Sequence, residues 1–243
     1  MSIWKFANPN IFLKWSTKVI PICAGTALIL LVVGLVWGGL LTPEDYRQGT
    51  TVKILFVHVP SAFLAINIYF MMFIASLIWL IKRHHVSALA AKAAAPIGVS
   101  MTLIALTTGA IWGQPMWGTP WVWDPRLTSF AIMLIFYISY IALWSTVNNR
   151  DKAADLSSIL CLTGSVFAVL SRYAVNFWDK GLHQGASLSL DKEEHISNEF
   201  FFPLLICMGG FVCLFLTLVL IRTQTEIRNQ RIISLLRTEG LNK

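Results

Sequence analysis

Six stretches of this chain run for about twenty residues or more with almost no charge, a length that matches the hydrocarbon core of a bilayer. They are 19–41, 54–81, 93–111, 127–147, 156–177 and 200–221, and Arg172 is the single charged side chain within them. A run of that length has no water to solvate its backbone, so only helices or a closed barrel can span with it. The runs are far longer than strands and lack the alternation of an outer-membrane barrel. The expected fold is all-α, a polytopic integral membrane protein with six transmembrane helices. Composition agrees: 56% of residues are hydrophobic, 13% are charged and the mean hydropathy is +0.66. A soluble domain carries nearer a quarter of charged residues, and a disordered chain lacks this much apolar surface.

Loop charge sets the expected orientation. With the N-terminus inside, segments 1–18, 82–92, 148–155 and 222–243 are cytoplasmic and hold three, three, two and five Lys or Arg, thirteen together. The opposite loops, 42–53, 112–126 and 178–199, hold five. That bias predicts both termini in the cytoplasm. The chain then divides into a cytoplasmic N-terminus (1–18), a membrane domain (19–222) and a cytoplasmic tail (223–243). The tail is polar with an apolar stripe, which predicts a short surface helix. The formal charge of +7 is spread between the spans as topology signals. Nucleic-acid binding would need a clustered basic face on a folded domain.

The first run is too long for a signal-peptide core and no small-x-small site follows it, so a cleavable leader is not expected. Cys23, Cys161, Cys207 and Cys213 all fall in apolar runs, without a C-x-x-C pair, and read as buried small hydrophobes. No Walker sequence, G-x-G-x-x-G or H-E-x-x-H occurs, which excludes P-loop ATP hydrolysis by this chain. There is no evident inverted repeat of the kind many transporters show.

The segment 112–128 reads WGQPMWGTPWVWDPRLT and holds four of the ten tryptophans, two glycines and three prolines. Prolines at five-residue steps predict an irregular or only partly helical loop. Two readings follow from composition. Trp at the headgroup level forms an interfacial belt. Four indoles in one Gly- and Pro-shaped loop, beside Asp124 and Arg126, also suit a large, flat, apolar ligand with negative groups.

The histidines bear on that choice. His58 lies about 7 Å below Lys53 at a helical rise, on the same side as the tryptophan loop. An ionisable group at that depth is a functional candidate, although a hydrogen-bonded interior histidine is the plain alternative. His183 lies in the third outer loop, in WDKGLHQG. Two imidazoles from different helices could clamp a haem from above and below. Lys53, Arg126 and Arg172 lie near the same boundary, where propionates would need cations. His84 and His85, in the KRHH turn, are expected to face solvent. His195 sits in a solvated acidic run and ranks well behind His58 and His183.

At these residues the chain resembles a known family. The loop WGQPMWGTPWVWDPRLTS is similar to the tryptophan-rich "WWD" signature of haem-handling proteins in cytochrome c maturation. Six spans, His58-Val59-Pro60 and the LHQG of 182–185 resemble the CcmC branch, haem exporter protein C, over nearly the whole chain. The resemblance implies a non-enzymatic protein that holds haem b at the periplasmic face of the bacterial inner membrane. It would present that haem to the periplasmic chaperone CcmE, with the ABC subunits CcmA and CcmB and the small membrane protein CcmD releasing the loaded chaperone. By position, His58 and His183 resemble the axial ligands of the haem iron. Trp112, Trp117, Trp121, Trp123 and Asp124 resemble the haem and chaperone platform, with Trp178 beside it and Arg126 as a propionate partner. Phe177-Trp178 stands where the family commonly has a Trp pair, which loses one indole N–H donor. Lys53 stands where Arg is usual, which keeps the charge and loses the bidentate fork.

Two other classes compete. A haem lyase that attaches haem to apocytochrome resembles this chain in the loop, but those members are longer, with further histidines in their spans and a large outer domain. An ion- or quinone-coupled transporter would want acidic residues within the spans, and none of the six holds an Asp or Glu.

Overall fold

The computed structural model of the protein describes residues 8–177 and 196–239. Six long helices carry the described chain: α1 (Pro9–Val36), α2 (Leu55–Lys82), α3 (His85–Trp117), α4 (Pro125–Thr146), α5 (Arg150–Phe177) and α6 (Asn198–Thr238). Each contains a stretch long and apolar enough to cross a bilayer, as the charge-free runs predict. A π turn (Trp37–Leu41) extends α1 and a 3-10 turn (Thr50–Ile54) leads into α2. Among the described residues there is no strand, only an isolated bridge between Asp45 and Gly49.

The helix ends are set by short polar residues that accept orphan backbone N–H groups. Asn8 accepts from Asn10 N–H at 2.9 Å ahead of Pro9, and Asp124 accepts from Leu127 N–H at 2.6 Å ahead of Pro125. Asn149 does the same for α5, accepting from Lys152 N–H at 3.0 Å. Gly118, at φ +74, closes α3 in the left-handed conformation that an L side chain resists. Arg83 adopts φ +51 at the end of α2, and its side chain is held there by an ion pair to Asp155 and by the Trp79 ring.

Helix α2 packs along α3, α1 along α6 and α4 along α5. The α2–α3 pair sits centrally, with α6 on one side and α4 and α5 on the other. Its core is built from Leu64, Ile68, Tyr69 and Met72 of α2 against Ala94, Met101, Met133 and Tyr137 of α3 and α4. Close approach uses small residues, as expected where lipid removes the hydrophobic advantage of helix association. A Cβ on Gly34 of α1 would meet Cys207 Sγ of α6 at 2.7 Å, and one on Gly98 would meet the Tyr137 ring at 2.2 Å. Cys161 and Cys207 are buried, whereas Cys23 and Cys213 are only half-buried, and all four are free thiols.

The tryptophan segment is partly helical, as its prolines predict, and the tail is more helical than the sequence suggests. Helix α3 continues through Pro115 to Trp117, so the tryptophan segment is helical in its first third and irregular only from Gly118 to Asp124. A proline removes one N–H and displaces one carbonyl, a loss that membrane helices absorb. The tail is not a separate surface helix. Helix α6 runs unbroken for 41 residues. Its stripe beyond Arg222 is buried on the bundle: Ile227 packs with Val86 and Leu89, and Gln224 Nε2 donates to Ser16 Oγ at 2.8 Å. Lys92 and Glu226 pair at 2.7 Å, and Arg222 Nε donates to the Ala93 carbonyl at 3.0 Å.

Candidate functional site

One end of the bundle gathers the 42–54 connection, the last turns of α3, the loop to α4 and the first turn of α6. Beneath it lies a small apolar cluster in which Phe56 stacks on Phe200, with centroids 6.4 Å apart, and to which Trp112 and Val59 add. His58 belongs to the first turn of α2, between Phe56 and Val59 of that cluster, and Lys53 lies in the 3-10 turn before it. The histidine is therefore nearer the helix end than a uniform helix from Lys53 would put it.

The His58 ring is held on three sides. Its Nδ1 lies 3.0 Å from Thr108 Oγ1. The indole of Trp112 meets it edge to face, centroids 5.6 Å apart at 79°. The backbone of α3 approaches so closely that a Cβ on Gly109 would stand 2.9 Å from His58 Cε1. Thr108 and Trp112 are four residues apart on one helix, hence on one face. Trp112 is fixed in turn by donating its indole N–H to Gln48 Oε1 at 2.7 Å.

The remaining tryptophans form a second group. Trp117 folds its ring back over Gly113, where a Cβ would meet it at 2.8 Å. Trp121 and Trp123 pair edge to face at 5.6 Å and 78°. Trp123 is 83% exposed, while Trp121 buries its indole N–H without an acceptor among the described residues. Thr119 staples the turn, its hydroxyl donating to the Trp121 carbonyl at 3.1 Å. Asp124 caps α4, and the half-buried Arg126 in the following turn has Asp124 and Arg172 as charged neighbours. A 2.9 Å hydrogen bond between Ser129 and Ser171 brings α5 to α4 at this level. Arg126 thus lies near both Asp124, whose carboxylate caps α4, and the like-charged Arg172. That arrangement favours an anionic ligand.

Among the described residues no three His, Cys, Asp or Glu side chains converge as a metal-ion site. The site instead offers one oriented imidazole, an aromatic wall and two cations.

Comparison with known proteins gives the family of the chain. The model of the family described as "Heme exporter protein C" (CcmC) matches residues 2–238. The chain belongs to the haem exporter protein C family. Among its curated relatives, Heme exporter protein C of Paracoccus denitrificans is 63% identical over 240 residues, covering 99% of each chain. The protein of the same name in Rhodobacter capsulatus is 60% identical over 241 residues, 99% of this chain and all of the relative. The one in Escherichia coli K12 is 40% identical over 208 residues, 86% of this chain and 83% of the relative.

Within this member of the haem exporter protein C family, the fold unites His58, Trp112 and the 42–54 connection, and separately pairs Trp121 with Trp123 and Arg126 with Arg172. His183, Trp178 and His195 lie outside the described residues. His84 departs from its expected solvent exposure. It is half-buried, and its Nδ1 accepts from Ser87 N–H at 3.0 Å to cap α3, whereas His85 is exposed at the edge of Trp79. Burial holds the His84 imidazole below its ordinary pKa.

Sequence reasoning missed Gln48, Thr108 and Gly109. The four-residue step from Thr108 to Trp112 was a signal that the two share a face. Nothing in the sequence indicated that this face meets His58, or that Gln48 reaches Trp112.

Proposed function

We propose that this protein binds haem b at the periplasmic face of the bacterial inner membrane and delivers it to the periplasmic chaperone CcmE for cytochrome c maturation. The observation that carries the proposal is the His58–Trp112 pair: an imidazole oriented at the tryptophan end of the bundle, beside an indole wall 5.6 Å away. A porphyrin already holds its iron in the plane, so the chain needs to supply only axial donors. His58 is one, and His183 in the 178–199 loop supplies the other. Arg126, Arg172 and Lys53 neutralise the propionates. Trp112, Trp117, Trp121 and Trp178 line the plate, and Asp124 fixes where α4 begins beneath it.

The role is to bind and present rather than to turn over a substrate. The covalent bond to haem forms on the chaperone's own histidine. Trp123, exposed at the rim, is the surface that meets the chaperone. ATP-driven release of the loaded chaperone belongs to CcmA with CcmB, and CcmD assists. The bias of thirteen cations against five supports a cytoplasmic position for both termini and a periplasmic one for the tryptophan end.

The absorption spectrum of the purified protein tests the site. A six-coordinate, low-spin pattern is expected, lost in His58→Gly and regained when imidazole fills the vacated position. A colourless protein that takes up no added haem overturns the reading. Reporter fusions after Arg83 or Lys152 should read as cytoplasmic and one after Gly185 as periplasmic; a periplasmic signal after Arg83 overturns the placement of the site.

A further inference from the structure

A threonine hydroxyl has one proton to give. That of Thr108 goes to the Ile104 carbonyl on its own helix, 2.6 Å away, with the Ala105 carbonyl at 3.3 Å sharing the same side. What Oγ1 turns toward His58 is therefore a lone pair. The 3.0 Å contact to His58 Nδ1 can then be a hydrogen bond only if Nδ1 carries the proton and donates. A neutral imidazole has a single N–H, so Nε2 is the nitrogen with the in-plane lone pair. Free histidine prefers the opposite tautomer, so the environment has to select this one.

Two further contacts fix the direction of the ring. The ring lies so close to α3 that a Cβ on Gly109 would stand 2.9 Å from Cε1, and the Trp112 indole packs against it at 79°. Thr108 itself is rigid, because it is β-branched and bonded to its own helix.

We propose that Thr108 is a positioning residue: it holds His58 in the Nδ1–H tautomer and so makes Nε2 the atom that meets haem iron. The inference rests on the reading of His58 as an axial ligand. An imidazole whose second nitrogen donates a hydrogen bond is a stronger electron donor, and loss of such a partner commonly weakens a metal site about 10-fold or more.

The test has one arm without haem and one with it. In the haem-free protein labelled with 15N-histidine and held at mildly alkaline pH, long-range proton–nitrogen spectra report which ring nitrogen is protonated, with His58→Ala identifying the signal. His58 is expected to be Nδ1-protonated in the wild type, to move toward Nε2–H in Thr108→Val and to return in Thr108→Ser. A wild-type His58 protonated on Nε2, or an unchanged tautomer in Thr108→Val, overturns the proposal.

With haemin added, Thr108→Val should bind it about 10-fold or more weakly. It should also raise the iron midpoint potential, and Thr108→Ser should restore both. If the tautomer moves while affinity and potential stay at wild-type values, the positioning role is wrong. If His58→Ala keeps the wild-type haem spectrum, the ligand assignment fails and takes the haem arm with it. The tautomer is still decided by the haem-free arm.

Discussion

The indole N–H of Trp112 donates to the side-chain carbonyl of Gln48 at 2.7 Å, tying the last turns of α3 to the connection between α1 and α2. Gln48 is itself fixed. Its N–H and that of Arg47 donate to Asp45 Oδ1 at 2.8 and 2.9 Å, and Asp45 and Gly49 exchange backbone hydrogen bonds. Gly49 closes this turn at φ +56, which needs glycine. A compact Asx turn therefore sets the angle at which Trp112 meets His58.

Gln48→Leu leaves that half-buried indole N–H without its acceptor, at a cost of about 1 kcal/mol. The expected outcome is a Tm lower by a few degrees and a perturbed Soret band in the haem-loaded protein. Gln48→Glu, which keeps the acceptor, should retain the wild-type spectrum. Equal spectra for Leu and Glu variants would show that Trp112 does not need Gln48 for its orientation.

Gly109→Ala places a Cβ 2.9 Å from His58 Cε1, so the ring must give by a few tenths of an ångström. On the proposed reading of His58 as an axial ligand, a displaced ring coordinates more weakly, and haem occupancy in the purified variant should fall several-fold. Gly25→Ala is the control, since nothing stands within 4 Å of its added Cβ. Alanine in a helix interior is favoured over glycine by about 1 kcal/mol, so that variant should be neutral or more stable. Normal haem content in Gly109→Ala would mean that His58 has slack the packing does not suggest.

Asp124 has a capping role that is separable from its charge. Asp124→Asn keeps a side-chain acceptor for Leu127 N–H, while Asp124→Ala removes it at about 1 kcal/mol. The Ala variant should lose stability and haem together; the Asn variant should be near wild type in both. Trp123→Ala, at an 83% exposed position, should leave haem content intact and reduce covalent loading of the chaperone. The paired measurement is haem per purified protein and haem-stained chaperone per cell. A parallel fall in both for Trp123→Ala assigns that indole to the pocket rather than to the handover surface.

The His84 cap adds a pH dependence at the opposite end of the bundle. Its imidazole must be neutral to accept from Ser87 N–H, and burial lowers its pKa from the usual 6.5. A depressed folded-state pKa means that the unfolded chain takes up its proton first. The contribution is therefore complete above pH 6.5 and is lost as pH falls through the folded value. Thermal melts between pH 7.5 and 5 should show a steeper acid loss in the wild type than in His84→Asn, which caps without titrating. Identical slopes would remove His84 as the cause.

Much of the architecture was written in single residues. Six helices follow from charge-free runs, because a backbone in hydrocarbon must satisfy its own hydrogen bonds. The caps at Asn8 and Asp124, each followed by proline, and the glycine stop at Gly118 are local signals with local causes. The tryptophan segment was legible as the unusual one. That it is only partly helical was legible from the proline spacing; how far α3 runs into it was not, since a membrane helix absorbs the hydrogen bond lost at Pro115.

The neighbours of each helix were decided only by the tertiary structure. Every span is apolar around most of its circumference, and lipid is as apolar as any partner, so the pattern of hydrophobic residues says little about which face meets which helix. Helix α1 lies against α6 because Gly34 and Gly210 let the two backbones approach, a fit that depends on both surfaces at once. For the same reason His58 was a legible candidate while its surroundings were not. Thr108, Gly109 and Trp112 reach it from α3, with Gln48 behind Trp112, and only the packing of α2 on α3 brings the threonine hydroxyl to the imidazole.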